Sequence, residues 1–280
     1  MLKPVKRAGL VACAIFASSA ALAADLPGPG PAPAPVPVAV VADWTGFYVG
    51  VNAGGVYAQH NASFRNASIV PLFVNAVLPG TLPQRYNLNK LGFIGGVQAG
   101  YNWQFGGAVV GIETDIAGST ASSTVRNNTG LLPPLFTINS TAQGSLRWLG
   151  TTRVRLGFLA WNNVLMYATG GVAYGGVNNR LTSQAAILGV PVANYAGGGS
   201  STRFGWTAGA GFEYKVNYNW SVKTEYLYYN LGNRTVTAVD AGPIFPGQFV
   251  TRRFRNDGHI FRIGFNYKFG GPAGPVVAKY

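Results

Sequence analysis

The sequence predicts an all-β fold, an eight-stranded antiparallel β-barrel that spans a membrane, and three observations point to it. Only 10% of the 280 residues are charged, against roughly 25% in an ordinary soluble domain. After the first two dozen positions, no stretch reaches the roughly 18 apolar residues that a membrane-spanning helix needs. A closed barrel is then the remaining structure that satisfies its backbone hydrogen bonds in lipid. The 39 Gly, 14 Tyr, 16 Phe and 6 Trp residues agree with short strands and aromatic belts.

Residues 1–23 are predicted to be a secretory signal peptide, with a basic start, an apolar middle over 8–20 and an Ala-Leu-Ala cleavage site at 21–23. Cys13 follows Leu-Val-Ala, which resembles the motif before a lipidated cysteine. Only five residues separate Arg7 from Cys13, which is short for the apolar part of a signal, so removal of Cys13 with the signal is the favoured interpretation. The exported chain then contains no cysteine and forms no disulfide.

Two further segments flank the predicted barrel, which spans 43–269. Residues 24–42 carry proline at every second position from 27 to 37. Because proline donates no backbone hydrogen bond and favours an extended chain, this segment is predicted to be a semi-rigid periplasmic linker. Residues 270–280 are predicted to be a C-terminal tail.

From position 43 onward, apolar residues alternate with small or polar ones, which is typical of barrel strands whose side chains point in turn to lipid and to the lumen. In the clearest run, 93–103, odd-numbered residues are predicted to face lipid and even-numbered residues the lumen, with Ile94 as the one apolar exception. Eight such runs lie near 44–57, 93–103, 108–118, 143–159, 164–174, 203–215, 220–230 and 258–269.

The connections between these runs alternate in length. The short ones are tight turns, and the long ones, which are rich in Asn, Ser, Thr, Gly and Pro, are predicted to be external loops. The short turns lie at 106–107, 161–163 and 217–219, and the long loops at 58–90, 119–142, 175–202 and 231–257. This alternation places both termini of the barrel in the periplasm. A soluble β-sandwich is the alternative, but it does not require such an alternation.

The strand phases place most of the charge of the predicted barrel inside it. A charged Arg or Lys on the lipid side would cost about 2–4 kcal/mol at the bilayer midplane, so this segregation identifies the inner face. Opposite charges in so narrow an interior should pair across strands and fill it. The predicted lumen ion-pair network consists of Glu113, Asp115, Arg147, Arg153, Arg155, Glu213, Lys215, Lys223, Glu225, Arg262 and Lys268.

No catalytic, cofactor-binding or metal-binding residues are assigned from the sequence. Glu113 and Asp115 share one strand face and could form an acid and base pair, but ion pairing with arginines is the favoured interpretation. Asp257 and His259 could serve a lipid-modifying hydrolase, although no serine neighbours them. Metal-ligand spacings and phosphate-binding glycine loops are absent from the sequence. The net charge of +13 is interpreted as facing anionic lipid rather than nucleic acid.

Four segments resemble one known family. Residues 43–55, DWTGFYVGVNAGG, resemble the first strand of the outer-membrane immunogenic proteins of Gram-negative bacteria, a porin-family group with an OmpA-like eight-stranded barrel. Residues 167–171, 205–211 and 223–229 resemble its fifth, sixth and seventh strands. The resemblance implies an abundant outer-membrane surface protein that stabilises the envelope and is often antigenic, with no catalytic residues to carry over.

In that family, a terminal aromatic residue on the last strand is read by the barrel assembly machinery. Phe269 matches this position, but residues 270–280 follow it, so either Phe269 or Tyr280 is expected to be the signal. This departure leaves the role of the tail open.

The sequence therefore predicts a monomer in the cell outer membrane, without a cofactor, that acts as a structural surface protein. Arg252, Arg253 and Arg255 are predicted to contact lipopolysaccharide phosphates, since guanidinium groups suit phosphate geometry. Merely solvated loop charges are the alternative for these arginines. A narrow solute pore is the second candidate function, and a lipid A-modifying enzyme is the third.

Overall fold

The computed structural model describes residues 43–68, 84–131, 135–242, 244 and 246–271. The predicted signal peptide, the predicted linker and most of the predicted tail lie outside these described residues. The described chain forms strands β1 (Gly46–Gln59), β2 (Ala62–Ala67), β3 (Arg85–Tyr86), β4 (Asn89–Phe105), β5 (Ala108–Ser119), β6 (Ser122–Leu131), β7 (Phe136–Trp161), β8 (Val164–Ile187), β9 (Val190–Lys215), β10 (Trp220–Asp240) and β11 (Phe249–Lys268). Within the described ranges, no helix is long and apolar enough to cross a membrane.

Eight of these strands form a closed ring. The order β1-β4-β5-β7-β8-β9-β10-β11 returns on itself because β1 also pairs with β11, and every pairing is antiparallel. β1 and β11 pair continuously, from Tyr48 opposite Lys268 to Gln59 opposite Asp257. The predicted eight-stranded antiparallel barrel is therefore confirmed.

The two ends of the barrel differ. Three tight connections, 106–107, 162–163 and 216–219, lie at one end together with Gly46 of β1 and Lys268 of β11. We call this the turn end, and we call the opposite end, where the strands extend farthest, the hairpin end. The short connections predicted from the sequence are thus all present.

The prediction that the four long connections are loops is wrong, because the chain continues as β-strands through much of each connection. β8 and β9 run through the predicted loop 175–202 and meet in a two-residue turn at Leu188 and Gly189. The other long connections contain β2 and β3, β6 with the start of β7, and the extended ends of β10 and β11. Beyond the membrane neither strand face meets lipid, so the two-residue alternation fades, and Asn, Ser, Thr and Gly suggested turns instead.

The outer face of the ring carries an apolar band between two aromatic belts. Phe93, in the belt toward the hairpin end, is 79% exposed, and Trp103 lies in the belt toward the turn end. Ten residues along β4 separate them, which is about 33 Å along a strand and about 25 Å in height at a tilt of about 40°. This height equals the roughly 25 Å apolar band of a membrane barrel. Exposed Val97 and Ile116 are typical of the residues between the belts.

The interior of the barrel is stacked in layers that alternate in polarity, and β8 passes through all of them. Leu165 and Tyr167 lie at the turn end, followed by Thr169 beside the charged residues. Val177 then lies in an apolar layer and Asn179 in a polar one, before Leu181 enters a second apolar cluster. The strand phase of 164–174, which the sequence does not resolve, is therefore set with the odd-numbered residues inside.

Candidate functional site

Four carboxylates and four cations meet inside the ring near the turn end and form what we call the ion layer. All eight side chains are buried, and their formal charges cancel. Inward-facing positions on five strands supply them, because successive residues of a strand point to opposite faces. The ion layer consists of Glu113, Asp115, Arg153, Arg155, Glu213, Lys223, Glu225 and Arg262.

Arg153 is the centre of the ion layer. Its guanidinium group lies 2.6 Å from the Glu113 carboxylate, 2.9 Å from Asp115 and 3.0 Å from Glu225. Arg262 approaches from β11 and contacts two of the same carboxylates, Glu225 at 2.7 Å and Asp115 at 2.9 Å. Two guanidinium groups thus bridge acids from opposite sides of the ring, which offsets the desolvation that burying an isolated charge would cost.

Glu113 and Glu213 are paired with the remaining two cations. Lys223 donates to Glu113 at 2.7 Å, and Arg155 contacts Glu213 at 2.6 Å and Glu113 at 3.4 Å. The Arg155 guanidinium group also lies 4.0 Å from the centre of the Tyr167 ring. Every member of the ion layer therefore has a partner of opposite charge.

Neutral side chains that the sequence analysis did not single out complete the hydrogen bonds of these carboxylates. Tyr48 donates to Glu113 at 2.7 Å and Tyr167 to Glu225 at 3.1 Å. Thr151 donates to Asp115 at 2.6 Å, and Ser221 donates to Glu213 at 2.5 Å. Tyr48, Thr151 and Ser221 lie at inward positions of predicted strands, so the strand phase was the signal that could have identified them. The phase of 164–174, which contains Tyr167, cannot be read from the sequence.

The structure does not bring Arg147 into the lumen, so the prediction for this residue is wrong. The register of β7 on β8 shifts between Leu146 and Trp148, which is a β-bulge. The extra residue breaks the two-residue alternation, and Arg147 is exposed outside the barrel. A bulge cannot be found by counting alternate residues, because it changes the count itself.

Lys215 and Lys268 were predicted in the lumen network but are bonded at the turn-end mouth instead. Lys268 Nζ lies 3.1 Å from the Asp43 carboxylate and donates to the Asp43 carbonyl at 2.6 Å. Lys215 donates to the same carbonyl, and its Nζ lies 4.9 Å from the centre of the Trp44 ring. These two lysines hold the start of β1 across the mouth of the barrel.

Apolar layers lie on both sides of the ion layer. A small cluster of Trp44, Val109, Leu165 and Tyr167 covers it at the turn end. Toward the hairpin end, a larger buried cluster consists of Val56, Ala58, Ile94, Ala117, Ala121, Leu146, Leu149, Ala173, Val177, Leu227, Tyr229, Leu231 and Ile260. Ile94, the apolar exception of the clearest run, belongs to this cluster. Apolar residues at inward positions were thus the signal for a packed layer.

A polar layer separates that cluster from a second buried apolar cluster at the hairpin end. His60 Nδ1 lies 2.9 Å from the Asn256 side-chain oxygen, to which Asn179 donates at 3.1 Å. Burial lowers the pKa of His60 below its usual 6.5, although the hydrogen bond with Asn256 and the charge of Asp257 act in the opposite direction. Burial therefore favours the neutral form of the His60 imidazole.

The three arginines predicted to contact lipopolysaccharide do not share one environment. Arg252 points inward, is 1% exposed, and has its guanidinium carbon 4.4 Å from the centre of the Tyr86 ring. It cannot reach a lipid phosphate, so that assignment is wrong for Arg252. Arg253 and Arg255 point to the outer face, where Arg253 is half-buried and Arg255 is exposed. Because successive residues of a strand point to opposite faces, Arg252 is separated from the other two.

The candidate catalytic pair is not assembled. Asp257 accepts a hydrogen bond from Tyr228 at 3.1 Å and pairs with Arg255 at 2.9 Å, whereas His259 Nδ1 lies 2.7 Å from the Tyr226 hydroxyl. Glu113 and Asp115 are both bound to Arg153. Within the described part of the chain, no cluster of three His, Cys, Asp or Glu side chains could hold a metal ion.

Comparison with known proteins agrees with this geometry. A family model described as an outer membrane protein beta-barrel domain matches residues 9–269. The 31 kDa outer-membrane immunogenic protein of Brucella melitensis is 36% identical over 260 residues, which cover 91% of this chain and 96% of that protein. A 22 kDa outer membrane protein of Rhizobium leguminosarum is 30% identical over 181 residues, covering 64% and 67% respectively.

Among solved structures, the outer membrane protease OmpT from Escherichia coli matches 80% of this chain and 97% of its own, with a TM-score of 0.46 and 10% sequence identity. A likeness at this level says nothing about the activity of this chain. The family match and the Brucella relative, in contrast, cover nearly the whole barrel. The chain therefore belongs to the outer-membrane β-barrel protein family, with outer-membrane immunogenic proteins among its relatives, and resides in the cell outer membrane.

Proposed function

We propose that this protein is a structural surface barrel of the outer membrane, with an occluded lumen and no catalytic role. The observation that carries the proposal is the layered interior. A neutral ion layer is covered on both sides by apolar clusters, and every strand of the ring contributes to this filling. An eight-stranded barrel has an interior just wide enough for side chains to fill.

The packing argues against a narrow solute pore, which is the second candidate. A solute would have to separate Arg153 from three carboxylates and then cross a cluster that contains Leu149, Leu227 and Ile260. Breaking a buried ion pair costs about 3–5 kcal/mol for one partner alone. The lipid A-modifying enzyme finds no support, since Asp257 and His259 are bonded to different partners.

The conductance of the full-length protein in planar bilayers tests the proposal. We expect no discrete channels from protein whose insertion is verified by heat-modifiable gel migration of the same sample. Reproducible single-channel openings from that folded material would contradict an occluded barrel. Comparison of lipid A by mass spectrometry, from cells with and without the protein, tests the absence of catalysis.

We further propose that the hairpin end contacts lipopolysaccharide phosphates through Arg253 and Arg255. In outer-membrane barrels the short turns face the periplasm, so the hairpin end is extracellular. Its described residues within 59–92, 119–148, 174–206 and 229–258 include eleven Arg and Lys residues and only two carboxylates. Asp257 pairs with Arg255, and Asp240 accepts from the backbone of Asn194 and Gly242. The outer surface at this end is consequently cationic, which attracts phosphate groups.

Two further features support proposals about the assembly signal and the oligomeric state. Phe269 lies at the end of β11, is 49% exposed and stacks on Phe47 with ring centres 5.6 Å apart, so we propose it as the residue that the barrel assembly machinery reads. The ring closes through β1 and β11 and leaves no unpaired edge at membrane level. A closed ring needs no second copy, so we propose a monomer.

A further inference from the structure

The β-bulge in β7 moves Arg147 to the outer face of the barrel and also shapes the outer surface around it. Two residues of β7, Arg147 and Trp148, stand where one residue of β8, Gly176, faces them. A Cβ atom at Gly176 would lie 2.3 Å from Trp148 Nε1, so the indole lies over this glycine. Bulges commonly redirect a side chain beside a functional site, and here the redirected side chain is a guanidinium group.

Three strands form a groove around Arg147 on the outer face of the hairpin end. Gly176 has Thr202 of β9 as its other neighbour, and one row farther out Asn178 lies between Ser145 and Ser200. The groove is lined by Arg147, Trp148, Gly176, Ser200, Ser201 and Thr202. It therefore combines one guanidinium group, one aromatic ring and the hydroxyl groups of Ser200 and Thr202.

No carboxylate in the described chain neutralises this groove. Arg147 takes part in no ion pair or hydrogen bond among the described residues, and it is exposed. Arg180 is also exposed and lies four residues beyond Gly176 on β8. The two carboxylates of the hairpin-end segments, Asp240 and Asp257, are both buried. Asp240 accepts from the backbone of Asn194 on β9, and Asp257 pairs with Arg255 of its own strand and accepts from Tyr228 on β10.

The height of the groove relative to the membrane is set by the aromatic belt beneath it. The row directly below places Tyr174 beside Phe204, with ring centres 6.3 Å apart, and Trp148 lies 6.2 Å from Tyr174. Aromatic belts lie at the boundary between hydrocarbon and headgroups. Arg147 is thus at the level of the outer-leaflet headgroups.

We infer that this groove binds the phosphorylated sugar headgroup of an outer-leaflet glycolipid, with Arg147 on the phosphate. The guanidinium fork of an arginine matches two phosphate oxygens. Ser200 and Thr202 can donate to further oxygens or accept from sugar hydroxyls, and the Trp148 ring offers an apolar face to a sugar ring. This inference rests on the proposed contact with lipopolysaccharide and assigns it a second, separate site.

Titration of fluorescently labelled lipopolysaccharide onto full-length folded protein in detergent micelles tests the site. We expect Arg147→Gln to weaken binding about tenfold or more, as for a lost hydrogen bond between charged groups, and Arg147→Lys to weaken it less. Arg126→Gln is the matched control, because Arg126 is an exposed arginine on β6 outside the groove. It is expected to bind within about twofold of the native protein.

Chemically dephosphorylated lipopolysaccharide is expected to bind the native protein at least as weakly as intact lipopolysaccharide binds Arg147→Gln, because dephosphorylation also removes the proposed contacts of Arg253 and Arg255. Unchanged binding by Arg147→Gln, or an equal loss in Arg126→Gln, would overturn the inference. Full displacement of lipopolysaccharide by inorganic phosphate alone would also overturn it, since the site would then recognise free phosphate. If the charge reversals at Arg253 and Arg255 weaken binding while Arg147→Gln does not, the groove is not a binding site, and the proposed contact through Arg253 and Arg255 is retained.

Discussion

The Tyr48 hydroxyl donates a 2.7 Å hydrogen bond to the Glu113 carboxylate across the inside of the barrel. The two residues lie on β1 and β5, which are separated by β4, so the bond spans an intervening strand. Gly100 of β4 leaves the required space, because a Cβ atom there would lie 2.4 Å from the Tyr48 hydroxyl oxygen. Arg155 donates to that same oxygen at 2.8 Å. The ion layer thus depends on the neutral Tyr48 and on Gly100, whose lack of a side chain leaves room for the Tyr48 hydroxyl.

Replacing this tyrosine should weaken the barrel. Tyr48→Phe removes the donor to Glu113 and the acceptor for Arg155, and it leaves both groups buried with one partner fewer. We expect the free energy of unfolding in urea to fall by about 1–3 kcal/mol. Tyr57→Phe, on the outer face of the same strand, should change it by less than about 0.5 kcal/mol. Equal effects of the two variants would contradict the role given to Tyr48.

A methyl group at Gly100 of β4 should disturb the same hydrogen bond between Tyr48 and Glu113. Gly100→Ala places an atom too close to both Tyr48 and the Ile112 carbonyl oxygen, at 2.4 and 2.6 Å, so side chains or backbone must move. Overpacking of this kind costs about 1–3 kcal/mol. Gly118→Ala on β5 meets no atom within 4 Å and serves as the control in the same urea titration. A stable Gly100→Ala variant would show that the interior yields easily.

Removing one charge of the ion layer should be more damaging than removing a hydrogen bond. Glu113→Gln leaves Lys223 and Arg155 without part of their compensation and removes one partner of Arg153. We expect a loss of about 3–5 kcal/mol in the free energy of unfolding. Ile112→Val, at the adjacent exposed residue on the outer face, is expected to stay near the native value. Retention of native stability by Glu113→Gln would mean that the network is energetically neutral.

The stability of the barrel should decrease in mild acid because of His60. Its folded-state pKa is lowered by burial below 6.5, so the unfolded chain binds a proton at a higher pH than the folded one. The stabilisation is therefore complete above about 6.5 and is lost as the pH falls through 6.5 toward the folded value. Urea midpoints at pH 7.5 and 5.5 measure this decline. His60→Gln should reduce it and His259→Gln, on the outer face, should retain it; an equal decline in both variants would exclude His60 as its cause.

Adjacent arginines of β11 should give opposite phenotypes. Arg252 packs its guanidinium group on Tyr86 inside the barrel, so Arg252→Gln is expected to lower stability by about 0.5–2 kcal/mol and to leave lipopolysaccharide affinity unchanged. The double charge reversal Arg253→Glu with Arg255→Glu should weaken lipopolysaccharide binding at low salt and lose that effect at high salt. Binding by the double variant that equals native binding at low salt would remove these residues from the proposed contact.

The barrel and the ion layer were readable from the sequence because both follow from one alternation imposed by lipid on one face. That alternation places Glu113, Arg153 and Glu225 inside without any knowledge of their partners. Which cation meets which carboxylate depends on the strand register, and single-chain periodicity does not contain it. The partner of Tyr48 was not predictable for the same reason, since Glu113 is 65 positions away.

Sequence reasoning failed where lipid no longer constrains the strands or where the alternation itself is interrupted. Beyond the aromatic belt, β8 and β9 keep their backbone pairing up to Ile187 and Val190 while their side chains lose the apolar pattern. At Arg147 one extra residue reverses the phase of the strand. Sites at which local rules break are often functional, and Arg147, which follows the break, lies at the centre of the proposed groove.

The pairing of β1 with β11 has a consequence for biogenesis. Twelve neighbouring residue pairs join them, from Tyr48 with Lys268 to Gln59 with Asp257, so strands at opposite ends of the described barrel must meet before the wall is complete. A nascent chain that lacks β11 exposes the free edge of β1 to any other extended segment. Closure of the ring must accordingly wait until β11 is present, and a chain that lacks its last strand should aggregate rather than form a smaller barrel.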